Sequence, residues 1–302
     1  MKTNALSRRG AELLLAGVII ARATSYLFSK LIMEGMGLFN LLGVRFLLGF
    51  MLLSLLFFKK LRHIDRKTLL AGIIMGTLYF LVMTAELNGL KRTASSTVSF
   101  LENTAIVLVP LLQAVMSRTL PKKKAVLSAA ISLAGVALLT LSGSVRFGLG
   151  EVFSILAALL YAGAILVTDR LTHGGIDPLL AGIVQVGTIG VLAISASFLT
   201  ETPRLPAGTL EWLGIVMLAV VCTGFGFTLQ PVAQSGTTAD RAGMFCALNP
   251  LVASVLGVAF LHEHIAPQGI LGAMLILSGI LLSYLPEEKL RPQFNKKRIA
   301  AR

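Results

Sequence analysis

The sequence predicts an all-α integral membrane protein with ten transmembrane helices, arranged as two inverted five-helix repeats. Three observations predict this fold class: the composition, the spacing of the apolar stretches and a weak similarity between the two halves. The 302 residues are 55% hydrophobic and 14% charged, and the mean hydropathy is +0.83. Soluble domains carry about 25% charged residues, so a soluble protein of this composition would expose much of its surface as hydrocarbon.

Apolar stretches follow one another along the chain, each near the roughly 20 residues that a helix needs to cross a bilayer. The first follows Arg8 and Arg9 and is too long for the apolar core of a signal peptide, so we expect an uncleaved first span. Short loops separate the stretches and leave no room for an inserted soluble domain. The predicted spans are residues 11–33, 38–58, 68–90, 94–117, 124–142, 149–169, 177–199, 210–230, 240–261 and 267–285.

The basic residues of the loops predict the orientation of the spans. Most of them fall on one side of the predicted bilayer, and only Lys91, Arg92, Arg146 and Arg204 fall on the other. Cytoplasmic loops carry the excess of Lys and Arg, so we expect a multi-pass protein of the cell (inner) membrane with both termini in the cytoplasm. The net charge of +13 is spread over short loops, which argues against a nucleic acid partner.

The two halves of the chain resemble each other at nearly constant spacing. Glu12 and Glu151 occupy matching starts of the first and sixth spans, where we expect contact with solvent. Residues 84–86 match residues 228–230 at an offset of 144, and residues 133–136 match residues 277–280 at the same offset. An odd number of spans in each half inserts the halves in opposite directions, which is typical of transporters. We therefore divide the chain into repeats at residues 1–142 and 143–285 and a basic cytoplasmic tail at residues 286–302.

Several short motifs have the order and spacing of a known family. They are Val44-Arg45-Phe46-Leu47-Leu48, Phe227-Thr228-Leu229-Gln230 followed by Ala233-Gln234, Leu248-Asn249-Pro250-Leu251-Val252 and Leu261-His262-Glu263-His264. With them the chain resembles a ten-span, EamA-repeat member of the drug/metabolite transporter (DMT) superfamily over about residues 11–285. The resemblance implies a transporter of small polar metabolites, with export as the commoner direction. This chain departs from the family pattern at Arg22, Glu102 and Asn249, so its substrate contacts are expected to differ.

Arg22 and Glu102 are charged residues inside predicted spans. A charge at the bilayer centre costs about 2.5–3.5 kcal/mol or more, and such charges usually mark substrate or ion pathways. At 1.5 Å of rise per residue both come near the midplane, from opposite sides, so they are candidates for an ion pair. Arg22 would hold a carboxylate or similar anionic group, and Glu102 would accept an amine or carry a coupled proton. The alternative is a structural salt bridge between packed helices.

Other polar and aromatic residues of the spans are weaker candidates. Arg45, Glu86 and Gln230 are candidates for coupling or gating together with Glu102, because Glu86 and Gln230 hold equivalent repeat positions near opposite faces; a polar helix end near water is the alternative. Tyr161 occupies the repeat position of Arg22, which favours a side chain that faces a cavity. The remaining candidate substrate contacts, for which helix packing is the alternative, are Tyr26, Tyr79, Asn103, Phe225 and Asn249.

The leading functional hypothesis is a secondary active or facilitative transporter of small polar, amino-acid-like metabolites that works by alternating access. Its partners would be a small-molecule substrate, the lipid bilayer and, if transport is coupled, protons; a monomer or homodimer is expected. No nucleophile, base and metal set converges in the sequence, and His262 and His264 lack the i, i+4 spacing of a zinc helix, so we predict neither an enzyme nor a cofactor. The alternatives are a multidrug exporter of lipophilic cations, which Arg22 would repel, and a flippase of a lipid-linked intermediate.

Overall fold

The computed structural model describes residues 7–33, 35–93, 95–121, 123–140, 148–252, 255 and 267–284. Every regular element within these ranges is a helix, in agreement with the predicted all-α class. The predicted basic tail at residues 286–302 and the motif at residues 261–264 lie outside the described residues.

The helices follow the predicted spans, and two of them begin at clear local signals. The Asp65 side chain accepts the backbone N–H of Thr68 at 3.0 Å, and its hydrogen bonds with Thr68 hold the pKa of this carboxyl below its ordinary value. Asp177 caps a later helix in the same way, with Pro178 in the first turn. In chain order the helices are α1 Arg8–Ala23, α2 Ser25–Met33, α3 Leu38–Leu56, α4 Phe58–Leu61, α5 Arg66–Leu90, α6 Ser95–Asn103, α7 Ala105–Ser117, α8 Lys123–Thr140, α9 Leu149–Thr172, α10 Pro178–Thr200, α11 Gly208–Met217, a π-helix at Leu218–Phe227, α12 Thr228–Gln234, α13 Ala239–Phe245 and α14 Pro267–Tyr284.

Within the described ranges, six helical segments are long and apolar enough to cross a membrane. A shorter apolar helix covers Pro267–Leu282. The first predicted span is divided between α1 and α2, and the ninth, at residues 240–261, is described only in part. The structure therefore supports a multi-pass membrane protein, while the count of ten spans stays a prediction. The six segments are Leu38–Leu56, Arg66–Leu90, Thr97–Ser117, Leu149–Thr172, Pro178–Thr200 and Gly208–Gln234.

Helix boundaries recur at the offset that relates the two halves of the sequence. Helices α8 and α14 begin and end at that offset, and they pack against each other. Helices α3 and α10 also pack together: Gly43 lies against Ile194, and Gly187 lies against Phe50. Because the contact positions move in opposite directions along the chain, these two equivalent helices run antiparallel.

Several membrane-spanning segments are interrupted near their middle. A break at Thr24 separates α1 from α2, and a break at Thr104 separates α6 from α7. In each break the threonine hydroxyl donates to a carbonyl three residues earlier, Ala21 at 2.8 Å and Leu101 at 2.6 Å. The segment Gly208–Gln234 contains the π-helix. Interrupted helices free backbone groups and are typical of the walls of buried sites in membrane proteins.

Close packing of α10 against α12 depends on Gly182. A Cβ atom at Gly182 would meet the backbone carbonyl oxygen of Thr228. Small residues let helix backbones approach closely in membranes, where no hydrophobic effect draws helices together. Gly163 in α9 provides a contrast, because a Cβ there would have no neighbour within 4 Å.

We expect Gly182→Ala to lower the free energy of unfolding by about 1–3 kcal/mol, since the added methyl group must displace backbone rather than a flexible side chain. Gly163→Ala is the matched control. It should be neutral or slightly stabilising, because Ala is favoured over Gly inside a helix. Thermal unfolding of the purified variants in detergent measures both effects. Equal shifts in the two midpoints would contradict the assigned contact.

Candidate functional site

Arg22 lies beside the break at Thr24 and is only 7% exposed. Its Nη1 donates to Gln230 Oε1 at 2.6 Å and to the Tyr161 hydroxyl at 3.1 Å. The guanidinium carbon sits 4.3 Å from the centre of the Phe227 ring. Helix α1 thus carries a buried cation whose partners come from α9, the π-helix and α12. None of these partners is charged.

Aromatic rings surround the guanidinium group of Arg22. Its carbon is 5.2 Å from the centre of the Tyr161 ring and 5.7 Å from that of Tyr79. Tyr79 packs edge-on against both Tyr161 and Phe227, and Gln230 Nε2 donates to the Tyr79 hydroxyl at 2.5 Å. Aromatic faces attract cations, by about 2 kcal/mol or more where water is excluded. The rings and the Gln230 amide therefore help to hold Arg22 in place inside the protein.

Two buried carboxyl groups lie close to this cation. Glu86 is 5% exposed and Glu102 is 3% exposed. Glu86 interacts electrostatically with Glu102, Arg22 and Arg45, and Arg22 interacts with both carboxyl groups. We call these four residues the charge cluster. With both carboxyl groups ionised its charges balance, which limits the cost of keeping them out of water.

Arg22 and Glu102 interact electrostatically, and a direct ion pair between them stays a prediction. The guanidinium group also donates to Tyr161 and Gln230. Neutral acceptors therefore take up part of the hydrogen-bonding capacity of the guanidinium group. A charged ligand can replace these acceptors without breaking an ion pair.

Arg45 is fully buried and held mainly by hydroxyl groups. Its Nε donates to Thr223 Oγ1 at 3.1 Å, and its Nη1 donates to Ser25 Oγ at 3.0 Å and Ser29 Oγ at 3.5 Å. Its Nη2 has no hydrogen-bond partner in the described part of the chain. Arg45 thus ties α3 to α2 and the π-helix. The Nη2 donor of Arg45 therefore remains available for a further partner. A gating or coupling role of Arg45 stays a prediction.

Gln230 and Glu86 are both buried within the protein, and their places near opposite membrane faces stay a prediction. Gln230 is 1% exposed and contacts Arg22 directly, and Glu86 belongs to the charge cluster. Phe225 is 40% exposed, whereas Phe227 contacts Arg22. A substrate contact at Phe225 stays a prediction, whereas the contact of Phe227 with Arg22 was not predicted. Its signal was position: Phe227 directly precedes the segment that carries Gln230.

The remaining predicted candidates are less informative. Asn103 is buried, and its Nδ2 donates to the Ser99 carbonyl oxygen of its own helix at 2.6 Å. Asn249 is buried too, and its Oδ1 has no partner among the described residues. The side chain of Tyr26 lies outside the described part of the structure. The substrate contacts assigned to these three residues stay predictions.

The matching residues Glu12 and Glu151 each hold the start of one helix to a segment of the other half. Glu12 accepts from Arg241 Nη1 at 2.6 Å, and the Thr237 hydroxyl is 3.5 Å away. Glu151 accepts from the Thr93 hydroxyl at 2.6 Å. Both glutamates are 6% exposed, so the expectation that they contact solvent is wrong, because neighbouring segments cover them. We call these contacts the Glu12 latch and the Glu151 latch.

The two latches lie at opposite ends of α9 and occupy equivalent places in the two halves. Asp169, near the end of α9, interacts electrostatically with Asp240, the neighbour of Arg241. Helix α9 rises about 27 Å between Glu151 and Asp169. Thr93 and Thr237 are related by the same offset as α8 and α14. Each latch thus pairs a glutamate at a helix start with an equivalent threonine.

Comparisons with known proteins agree with this architecture. The chain is 25% identical over 286 residues to an "Uncharacterized transporter" of Archaeoglobus fulgidus, an alignment that covers 90% of this chain and 96% of that protein. A shorter similarity, 36% over 72 residues, links 24% of the chain to 92% of the "Putative permease-like protein YdzE" of Bacillus subtilis. A solved structure titled "Crystal structure of protein" superposes with a TM-score of 0.78 at 18% identity, covering 95% of this chain and all of that one. This last likeness shows the fold.

The family comparison covers both halves of the chain. The family model described as "EamA-like transporter family" matches twice, at residues 9–141 and 148–285. The two matches together span nearly the whole sequence. The chain therefore belongs to the EamA-like transporter family of the drug/metabolite transporter superfamily, a family of multi-pass membrane transporters.

Proposed function

We propose that this protein is a secondary transporter of small amino-acid-like solutes that binds them at the charge cluster. The observation that carries the proposal is the contact between Arg22 and Tyr161, 3.1 Å long, between residues at equivalent positions of the two halves. Equivalent residues meet where the halves adjoin, and substrate sites of repeat-built transporters lie at that interface near mid-membrane.

The chemistry of the charge cluster suits a zwitterion. A guanidinium group binds a carboxylate through two parallel hydrogen bonds, and Arg22 has a second nitrogen beyond the Nη1 that serves Gln230 and Tyr161. Glu86 and Glu102 would receive the ammonium group of the same solute or a coupled proton. A lipophilic cation would meet the fixed charge of Arg22, which makes drug export the weaker proposal.

The antiparallel packing of equivalent helices and the two latches support alternating access between inverted halves. Opening the Glu12 latch while the Glu151 latch stays closed would expose the cluster to one face, and the reverse would expose it to the other. The excess of basic residues in the loops on that side supports a cytoplasmic position for the Glu12 latch. Cytoplasmic termini and export, the commoner direction in the family, are parts of the same proposal.

Counterflow in proteoliposomes tests the proposed function. We expect vesicles preloaded with an unlabelled amino acid to accumulate the same labelled amino acid, because exchange needs only a binding site and alternating access. The methyl ester of that amino acid should compete poorly, since it lacks the carboxylate that Arg22 binds. Cationic dyes and nucleosides serve as controls. Counterflow of dyes without counterflow of amino acids would overturn the proposal in favour of drug export.

A further inference from the structure

A cavity of about 300 Å³ lies among α1, α7, α8 and α13, beside the Glu12 latch. Its charged lining residues are the basic Arg8, Lys124 and Arg241 and the acidic Asp240. Ile106 and Met244 contribute apolar walls. The volume is at the lower end of the range for small-molecule pockets. The charged lining is predominantly basic, so the cavity favours an anionic group.

The cavity extends along α7 toward the charge cluster. Gln113 lines it, and so does Ile106 two helical turns earlier. Ile106 follows Glu102 by four residues across the break at Thr104, a rise of about 6 Å if helical. Gln113 Oε1 is buried without a hydrogen-bond donor among the described residues. A solute in this cavity would therefore find a polar acceptor along the wall that leads to Glu102.

Arg241 belongs to both the cavity and the Glu12 latch. Its Nη1 donates to Glu12 at 2.6 Å, and the residue also lines the cavity. The equivalent residue near the Glu151 latch, at the offset that relates Thr237 to Thr93, is the uncharged Thr97. The two latches share glutamate and threonine but differ in this cation, so an anionic group can act on one latch alone.

We propose that this cavity is the cytoplasmic docking site for the anionic group of a solute, and that the group replaces Glu12 on Arg241 and so releases the Glu12 latch. The inference rests on the proposed function and adds an entry site outside the charge cluster. The exchange is carboxylate for carboxylate. An arginine guanidinium group can donate to either carboxylate, so the latch can open without leaving a buried cation unpaired.

Charge-selective thiol labelling tests the docking site without any transport measurement. The labelled variant is Met244→Cys in a background with Cys222→Ala and Cys246→Ser, in purified protein in phosphatidylcholine vesicles. Its rates with an anionic and a cationic methanethiosulfonate reagent are each divided by the rate with 2-mercaptoethanol in solution. We expect the anionic reagent to be favoured roughly tenfold, because a cleft with a net positive charge concentrates anions.

Two variants of the same ion pair should move this preference in opposite directions. Arg241→Ala should reduce it toward the value in solution, whereas Glu12→Gln should increase it by freeing the arginine from its carboxylate. Thr93→Ala, in the Glu151 latch, is the matched control and should leave it unchanged. If the ion pair were merely structural, Arg241→Ala and Glu12→Gln would change the charge preference in the same direction. That result would overturn the proposal.

Two further conditions identify the ligand class and separate this inference from the proposed function. Potassium glutamate should slow labelling by the anionic reagent more than potassium chloride at equal ionic strength. Replacing part of the lipid with phosphatidylglycerol should have little effect; protection by this lipid alone would assign the cavity to a lipid headgroup and overturn the solute site. A clear charge preference in a protein without counterflow would contradict the proposed function while leaving the docking site intact.

Discussion

Replacing Arg22 with Ala is expected to weaken binding of carboxylate-bearing solutes by roughly 10- to 150-fold. The figure follows from the loss of charge-assisted hydrogen bonds worth about 1.5–3 kcal/mol, at about 1.4 kcal/mol for each tenfold change. The variant also removes the cation that faces Glu86 and Glu102. Solute affinity is measured by the shift of the thermal unfolding midpoint with solute concentration, which stabilises the folded state by mass action.

Two variants separate a binding role of Arg22 from a purely structural one. Arg22→Lys keeps the charge but loses the planar fork, so it should retain folding and recover only part of the affinity. Gly226→Ala leaves Arg22 in the sequence but places a Cβ 2.8 Å from the Arg22 Cγ, so it should lower the affinity by shifting the guanidinium group. Unchanged affinity in Arg22→Ala for every amino acid tested would mean that Arg22 only supports the fold.

Replacing Glu102 with Gln is expected to reduce uptake driven by a pH gradient at least tenfold. Counterflow at equal pH on both sides of the membrane should continue. Glu102 and Glu86 interact as like charges, and a proton bound by either carboxyl group relieves that repulsion. Glutamine keeps the size of the side chain but neither gains nor loses a proton. Uptake in proteoliposomes with and without an imposed pH gradient measures the effect.

Glu86→Gln is the matched comparison for Glu102→Gln. Glu86 interacts with both arginines of the charge cluster as well as with Glu102. Its neutral variant leaves two buried cations with a single carboxyl group, so thermal stability and counterflow should both fall. If Glu102→Gln responded to the pH gradient as strongly as the unaltered protein, proton coupling would not involve Glu102.

Much of the helical framework follows from the sequence because apolar length and capping residues are local signals. Helices α3, α9 and α10 begin within one residue of the predicted starts. The repeat offset found in residues 84–86 and 228–230 also relates the boundaries of α8 and α14. The equivalence of Arg22 and Tyr161, inferred from spacing alone, corresponds to a direct contact.

The details of the site depend on geometry that spacing does not contain. The π-helix at Leu218–Phe227 has wider turns than an α-helix, so an α-helical period misplaces the face that each residue presents. Phe227 contacts Arg22, whereas Phe225, the predicted candidate, is 40% exposed. Gln230 lies near the end of its apolar segment, and only the packed fold shows that its side chain reaches the buried Arg22.

The contact between Arg22 and Tyr161 also constrains how such a protein can arise from a duplicated gene. Two identical halves would place the same residue on both sides of this contact. Two buried arginines within hydrogen-bond distance would repel, with no counter-charge at the contact itself. An arginine at this position therefore fits a chain whose halves have diverged. The fusion of two halves into one polypeptide lets a single mutation place one arginine, rather than two, at this contact.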